Sequence, residues 1–277
     1  MIGTMLGIIG FSTGGYYYSK FIEPKRLDIN EVTLAHHQIP MGFDGFRAVQ
    51  FSDTHLGFHY TLSQLAKHVD IINGLDPDII FFTGDLLDDP NKYEHVNKIA
   101  PILKKLHAPF GKLAIYGNHD HGGYGTNIYQ ITMEEAGFQV LQNEAVQVKL
   151  INGDFIHIIG IDDAMLGAPD LEQAKRGILD EAYTILLSHA PDLATDAAAS
   201  NIACQLSGHS HGGQVQLPFV GPVITPPFAK QYYDGKYDVD GTVSLYVNRG
   251  LGTTRLPFRF NAVPEITVFT LQSLASN

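Results

Sequence analysis

The sequence predicts an α/β fold whose strands deliver polar ligands to one crevice, and three observations predict it. Apolar runs of strand length alternate with stretches of helical period along most of the chain. Several of those runs end in clusters of Asp, Asn and His. The octapeptide Ser207-Gly208-His209-Ser210-His211-Gly212-Gly213-Gln214 sets two histidines one residue apart between glycines, a pattern that suits metal binding better than packing. Glycine lets the backbone turn sharply there and approach a ligand closely. A polar turn with incidental histidines is the alternative, and matching ligands at upstream strand ends decide between the two.

The first of these strands is expected over residues 47–52, running straight into Asp53-Thr54-His55. A helix is expected over 61–73, with Leu62, Leu65, Ala66, Val69 and Ile72 at apolar spacing. Residues 78–83 form an almost continuous apolar run of the kind buried on both faces of a sheet, and the run ends in Gly84-Asp85-Leu86-Leu87-Asp88. A second helix is expected over 92–106. Residues 112–116 read as a strand ending in Gly117-Asn118-His119-Asp120. A helix near 128–136 precedes strand-like runs at 146–150 and 155–161, joined as a hairpin around Asn152-Gly153. Residues 183–187 form a strand ending in Ser188-His189, and 202–206 lead into the histidine pair. Glycines and prolines over 217–228 predict a long irregular loop walling the site, after which Tyr232, Tyr233 and Tyr237 are expected to pack in the core, with a face toward an apolar part of a substrate as the alternative.

Composition bounds the class. A chain of 277 residues with 44% hydrophobic and 17% charged residues can bury a substantial core and is expected to form one large domain. The formal net charge of -11 argues against a broad electrostatic grip on nucleic acid, although carboxylates gathered around cations inflate that figure. A nucleic-acid partner is therefore disfavoured. Cys204 is the sole cysteine, which excludes an intrachain disulfide, a cysteine zinc site and an iron–sulfur cluster. A buried strand position is its expected role.

No charged residue precedes Lys20, and residues 2–18 read as a mildly apolar helix with glycines at 3, 7, 10, 14 and 15. Such a segment is barely long enough to cross a bilayer, which takes about 20 residues. Tyr16, Tyr17 and Tyr18 followed by Lys20 look like an interfacial belt. Neither the basic start nor the small-residue cleavage site of a secretory signal is clear. The expected organisation is an uncleaved hydrophobic membrane anchor or signal-like segment over 1–24, a linker and leading strand over 25–45, and a catalytic domain over 46–277. A buried helix of the soluble domain is the alternative for the first segment. Lys25 and Arg26 favour the cytoplasmic side, Glu23 and Asp28 oppose them, and membrane association is expected with the side left open.

Ligands at the carboxyl ends of successive strands share one crevice in open α/β folds. Asp53, His55, Asp85, Asn118, His189, His209 and His211 supply more nitrogen and oxygen donors than one metal can use. Two divalent ions sharing a bridging carboxylate is the economical arrangement. Imidazole content favours manganese, iron, zinc, nickel or cobalt over calcium. A mononuclear storage or sensor domain would bind metal without turnover, and a silent scaffold would lack ligands, none of which is missing. For Asp88 and Asp120, a helix N-cap or solvated turn stands beside a role behind the ligands. His59, His68, His95, His107, His121 and His157 are expected on the surface or on helices.

Taken in order, Asp53/His55, residues 84–88, residues 117–120, His189 and residues 208–211 reproduce D-x-H, G-D-x-x-D, G-N-H-D/E, a lone histidine and G-H-x-H. From about residue 47 onwards the sequence thus resembles the calcineurin-like metallophosphoesterases. The resemblance implies a four-layer αββα sandwich with a dinuclear metal site at strand ends. It implies a metal-dependent phosphoesterase that attacks phosphodiester or pyrophosphate bonds with an activated water. Asp53, His55, Asp85 and His211 would hold the first metal, and Asp85, Asn118, His189 and His209 the second, with Asp85 bridging. His119 would be the unligated histidine that protonates the leaving oxygen, with Asp88 orienting it.

Within that family, Gly212-Gly213-Gln214-Val215, Leu245-Tyr246-Val247-Asn248-Arg249-Gly250-Leu251-Gly252 and Pro257-Phe258-Arg259-Phe260 look like the YkuE/YaeI-like bacterial branch. Its members are often membrane- or envelope-associated, so an envelope or lipid-linked phosphoester substrate is expected. A UDP-2,3-diacylglucosamine pyrophosphatase-like activity and a phosphomonoesterase are the alternatives. Asp89-Pro90 follows Asp88 where the protein-phosphatase branch carries an arginine, which lowers that activity in rank. Arg249 and Arg255 are candidates to reach a substrate phosphate, with ordinary surface ion pairing as the alternative.

Overall fold

The computed structural model describes residues 13–122, 126–179 and 181–274. Strand periodicity sorts the apolar side chains into layers. The first sheet is built from β1 (Asp28–His36), β2 (Arg47–Phe51), β3 (Ile79–Phe82), β4 (Lys112–Ile115), β5 (Gln139–Leu141) and β14 (Glu265–Ser273). The second is built from β6 (Glu144–Lys149), β7 (Phe155–Gly160), β8 (Thr184–Leu187), β9 (Cys204–Ser207), β12 (Gly235–Val239) and β13 (Val243–Val247). Their orders are β1-β14-β2-β3-β4-β5 and β12-β13-β9-β8-β7-β6. Within them, β2 to β5 run parallel, as do β7, β8, β9 and β13.

Successive side chains of a strand point to opposite faces. Ala48, Ile79 and Phe81 accordingly meet Ile158, Ile185 and Leu206 between the sheets. Val49, Ile80 and Phe82 face outward and pack beneath the helices α1 (Leu62–Asn73), α2 (Ile99–Leu103) and α3 (Thr126–Glu135). On the far side Ile159, Leu186 and Leu245 pack against α4 (Leu171–Ala174) and α5 (Ala194–Ala199) through Ala174, Ala194 and Ala197. Helix, sheet, sheet and helix are the four layers implied by the family resemblance.

Helix α1 begins where its cap dictates: the Thr61 hydroxyl accepts the Gln64 N–H at 3.2 Å, and the Gln64 side-chain oxygen Oε1 accepts the Thr61 N–H at 3.1 Å. The helix expected over 92–106 is much shorter. A 3-10 turn, Val96–Lys98, leads into α2, which holds Pro101 in its first turn. Proline tolerates that place because it needs no N–H there, whereas a helix running through from Lys92 would bring its ring against the carbonyl one turn back. The irregular loop expected over 217–228 carries a small hairpin, β10 (Gln216–Leu217) with β11 (Gly221–Pro222), before it turns irregular. Tyr232 and Tyr237 pack with the outer face of the second sheet, their rings 5.0 Å apart.

Residues 25–45, expected as a linker with a leading strand, contribute the edge strand β1, which pairs with β14 along its whole length. Residues 1–12 of the expected anchor lie outside the described residues. From Thr13 the chain is helical, widening into a π-turn at Tyr18–Ile22 and tightening into a 3-10 turn at Glu23–Lys25. This piece is fastened to the domain. The buried Glu23 carboxylate accepts the Ala262 N–H at 2.7 Å, and the Ser19 carbonyl accepts the Arg259 N–H at 2.9 Å. Among the described residues, no helix is long and apolar enough to cross a membrane.

Candidate metal centre

Strands β2, β3 and β4 of one sheet and β8 and β9 of the other release their chains at the same end of the sandwich. Each release point carries sequence-predicted site residues: Asp53 and His55 after β2, Asp85 after β3, Asn118 after β4, His189 after β8, His209 and His211 after β9. The His209 N–H donates to the Asp53 carboxylate at 3.1 Å, tying the two sheets together at this end. The turns are tight enough that Asp53, His55, Asp85, His209 and His211 all have positive φ, between 43° and 71°. Left-handed backbone is costly for residues with a Cβ and collects where function requires it. Glycine clears the space beside them: a Cβ on Gly117 would strike the Asp85 carboxylate, and one on Gly208 would strike Asp53.

Side chains from these turns form groups able to hold a metal ion: Asp53 with His55 and His211, and Asp85 with His189 and His209. The Nε2 atoms of His55 and His211 approach to 3.0 Å, with an Asp53 oxygen 3.4 Å from the latter. One Asp85 oxygen, Oδ2, lies 3.5 Å from His55 Nε2 and 3.3 Å from His189 Nε2, between the two groups. The ring orientations suit ligation. His189 donates Nδ1–H to the Thr83 carbonyl at 2.6 Å, and His209 donates Nε2–H to the Pro227 carbonyl at 2.8 Å. Each keeps its other nitrogen for the centre. Asn118 Oδ1 is buried without any hydrogen-bond partner, a costly condition that a cation would relieve. A third group joins His55, Asp85 and His119.

Protonation follows from burial and charge. Burial pushes the Asp85 carboxyl upward, but His189, His119 and His55 outweigh it and hold the group well below the usual range. Burial raises Asp53, which His189 and His55 only partly offset. Burial pushes His209 down to about 3, helped by His189. His211 falls well below its ordinary value through burial, His55 and Arg259. An ionised carboxylate and neutral imidazoles are the forms that bind divalent ions. His189 is the exception: burial lowers it, yet Asp85 lifts it to about 10, so a cation at Nε2 would displace a proton.

Behind these groups lie residues with supporting contacts. The buried Asp120 carboxylate accepts three backbone N–H groups, from Asp85 at 2.7 Å, Leu86 at 3.0 Å and Gly117 at 2.9 Å, which braces two of the turns. Asp88 meets His119 through its main-chain carbonyl, which accepts Nδ1–H at 2.7 Å, while its carboxylate lies 3.5 Å from His55 Nδ1. Asp88 thus meets His119 through its carbonyl and not its carboxylate. Fully buried Arg259 donates to the carbonyls of Gly252 at 3.0 Å, Ala262 at 2.7 Å and Arg249 at 2.8 Å, and reaches His211 Nδ1 at 3.2 Å. Its role went unread from the sequence, where only its place between proline and aromatic residues set it apart.

The two candidate arginines part company. Arg249 is committed to Glu265 at 2.6 Å, with Asp28 and Asp234 beyond, so ion pairing, the alternative weighed for it, is what it does. Arg255 lines a cavity of about 260 Å³ with Asp85, Asn118, His119, His209 and His211. Among the described residues it is the one fixed cation lining that cavity. Three histidines expected on the surface or on helices have inner contacts. His68 is on α1 but buried, its Nδ1 2.7 Å from the Tyr60 hydroxyl; His157 is buried in β7; His121 pairs with Asp162 at 2.6 Å.

Residues 46–213 match the family described as calcineurin-like phosphoesterase. Over 260 residues the chain is 51% identical to the protein called uncharacterized metallophosphoesterase YkuE of Bacillus subtilis (strain 168), covering 94% of this chain and 91% of that one. It is 28% identical over 312 residues to the UDP-2,3-diacylglucosamine pyrophosphatase LpxG of Chlamydia trachomatis, covering 91% of each. It is 28% identical over 294 residues to a transmembrane protein with metallophosphoesterase domain of Bos taurus, covering 99% of this chain and 61% of that protein. The chain therefore belongs to the calcineurin-like phosphoesterase family and is a metallophosphoesterase, a hydrolase.

Proposed function

We propose that the chain hydrolyses phosphodiester or pyrophosphate bonds of an envelope or lipid-linked substrate, using two divalent cations at the strand ends. The observation that supports it best is the pair of Asp/His groups meeting at Asp85 on the floor of the cavity. Asp53, His55, Asp85 and His211 would hold one ion, and Asp85, Asn118, His189 and His209 the other. Such ions, when bound, polarise phosphoryl oxygens and lower the pKa of a bound water.

The remaining work falls to the chain's own groups. His119 gives Nδ1–H to the Asp88 carbonyl, so a proton for the leaving oxygen has to sit on Nε2. The ring has to be cationic beforehand. In the metal-free chain burial opposes that, but the Asp85 charge and the Asp88 carbonyl prevail and raise its pKa above the ordinary value. Arg255 is placed to meet a non-reacting phosphate oxygen. With Arg249 tied to carboxylates and no arginine after Asp88, the lining makes little provision for a dianionic terminal phosphate, which favours diester or pyrophosphate over monoester. Pyrophosphate cleavage in a nucleotide-linked lipid is the second reading, favoured by the similarity to LpxG. Membrane association is part of the proposal, supported by the uncharged stretch before Lys20. Comparing kcat/KM for bis-nitrophenyl phosphate and nitrophenyl phosphate under one metal, corrected for their uncatalysed rates, tests the class. A corrected preference for the monoester would sink the diesterase reading.

A further inference from the structure

The mouth of the metal centre is ringed by apolar side chains, several of which the described residues leave exposed. On one side the loop after β11 presents Val223, Ile224 and Pro226 to the cavity, and on the other Leu256 and Phe258 do the same. Ile224 is 68% exposed and Leu256 55%. Beyond the first wall the β10–β11 hairpin carries Phe219 and Val220 at its tip, 108% and 77% exposed. A third segment adjoins them. The helical turns before β1 expose Tyr16, Tyr17, Phe21 and Ile22, with the Tyr16 ring 5.5 Å from Phe258 and the Tyr18 ring 6.4 Å from Phe260. Phe260 in turn accepts the Gln216 N–H at the base of the hairpin at 2.8 Å, so hairpin, loop and helical turns make one continuous surface.

We infer that this collar seats the mouth of the metal centre on a phospholipid bilayer. The hairpin tip projects its two side chains outward, a shape that enters a fluid apolar phase and does not form the concave groove a partner helix needs. The Lys20 ammonium lies 3.0 Å from the Tyr16 hydroxyl and 6.0 Å from the Phe258 ring, which lays its stem along the apolar surface with the charge at the edge. Tyrosine and lysine together mark the headgroup level of a bilayer. Of the uncharged sequence before Lys20, the described part adjoins this surface through Tyr16, whose ring meets Phe258. A lipid-borne phosphoester would then reach the strand-end carboxylates and imidazoles without leaving the membrane plane. For that substrate the inference rests on the lipid-linked reading above.

The chain contains no tryptophan, so Phe219→Trp gives a single reporter at the hairpin tip. Ile151→Trp supplies the control. It is 109% exposed in the β6–β7 turn, at the end of the sandwich opposite the metal centre. Full-length variants are mixed with vesicles of phosphatidylcholine and phosphatidylglycerol, with and without brominated acyl chains. The expected result is a blue shift and bromine quenching for Phe219→Trp and neither for Ile151→Trp. Emission from Phe219→Trp that vesicles leave unchanged overturns the docking, as does a lipid-free blue shift that grows with protein concentration, which would assign the collar to a second copy of the chain. Hydrolysis of soluble bis-nitrophenyl phosphate by the same sample separates the two ideas. Turnover without quenching sinks only the docking, whereas quenching without turnover supports the docking and sinks the diesterase reading.

Discussion

Replacing Asp85 by Asn tests the sharing of one carboxylate between two ions more sharply than any other change. The carboxamide has the same shape and can still accept the His119 N–H, which reaches the present carboxylate at 2.8 Å. What disappears is a negative charge buried between His55 and His189, 3.5 and 3.3 Å away. A pair of unit charges 4 Å apart at an effective dielectric near 20 is worth about 4 kcal/mol, and a divalent ion doubles the charge. Because the amide oxygen still ligates, we take the lower figure for each ion, about a thousandfold in affinity. The assay is metal content after dialysis against a fixed metal concentration, run beside bis-nitrophenyl phosphate turnover. Thermal unfolding in chelator reports separately whether the fold survives. Both ions should be depleted together and turnover should fall by about three orders of magnitude. A variant retaining full metal occupancy and near-normal turnover refutes the shared carboxylate.

Two further outcomes are expected. His119→Gln should keep its metal yet lose about 10²–10⁴-fold in kcat on substrates with poor leaving groups and much less on nitrophenyl esters; equal losses on both would replace proton transfer with positioning. Asp162→Asn should lower stability by about 2 kcal/mol, between the surface-pair and buried-pair ranges. Burial lowers His121, but Asp162 outweighs it and raises the folded pKa, so this contribution is complete below the ordinary 6.5 and fades as pH rises through the raised value. Asp162 is itself held far below the usual carboxylate range, since His121 and the Ala168 N–H outweigh its burial, so its share fades only in strong acid. The Tm difference between wild type and variant should be largest between those limits. A difference that does not change from acid to alkaline pH would exclude the ion pair as its source.

The strands that carry the centre were legible because each is an apolar run that stops at a polar cluster, and hydrophobic period survives any tertiary context. Other features depend on partners remote in sequence. Arg249 and Arg255 look alike along the chain, and only the folding of Asp28 and Glu265 onto the former separates an ion pair from a cavity residue. Asp88 presents its carbonyl to one histidine and its carboxylate to another, a division that backbone direction decides. The helix expected from Lys92 failed on a local ground, since Pro101 was readable and limits where a helix can begin. The positive φ values at Asp53, His55 and Asp85 have no sequence mark, because these residues are chosen for their donors.

The order β1-β14-β2 has a consequence for synthesis. The nine residues of β1 find their pairing partner only in residues 265–273, and β2 meets the same strand on its other edge. At translation rates of 5–20 residues per second, roughly 10–50 s separate the making of the first strand from that of the strand it pairs with. Through that interval the first sheet lacks the strand that joins β1 to β2. Asp53 also waits, because its carbonyl accepts the Gly252 N–H and a Cβ on Gly250 would collide with it, so the turn holding it is completed by late-made backbone. Closure of the sheet and completion of the centre thus both wait for residues 250–273.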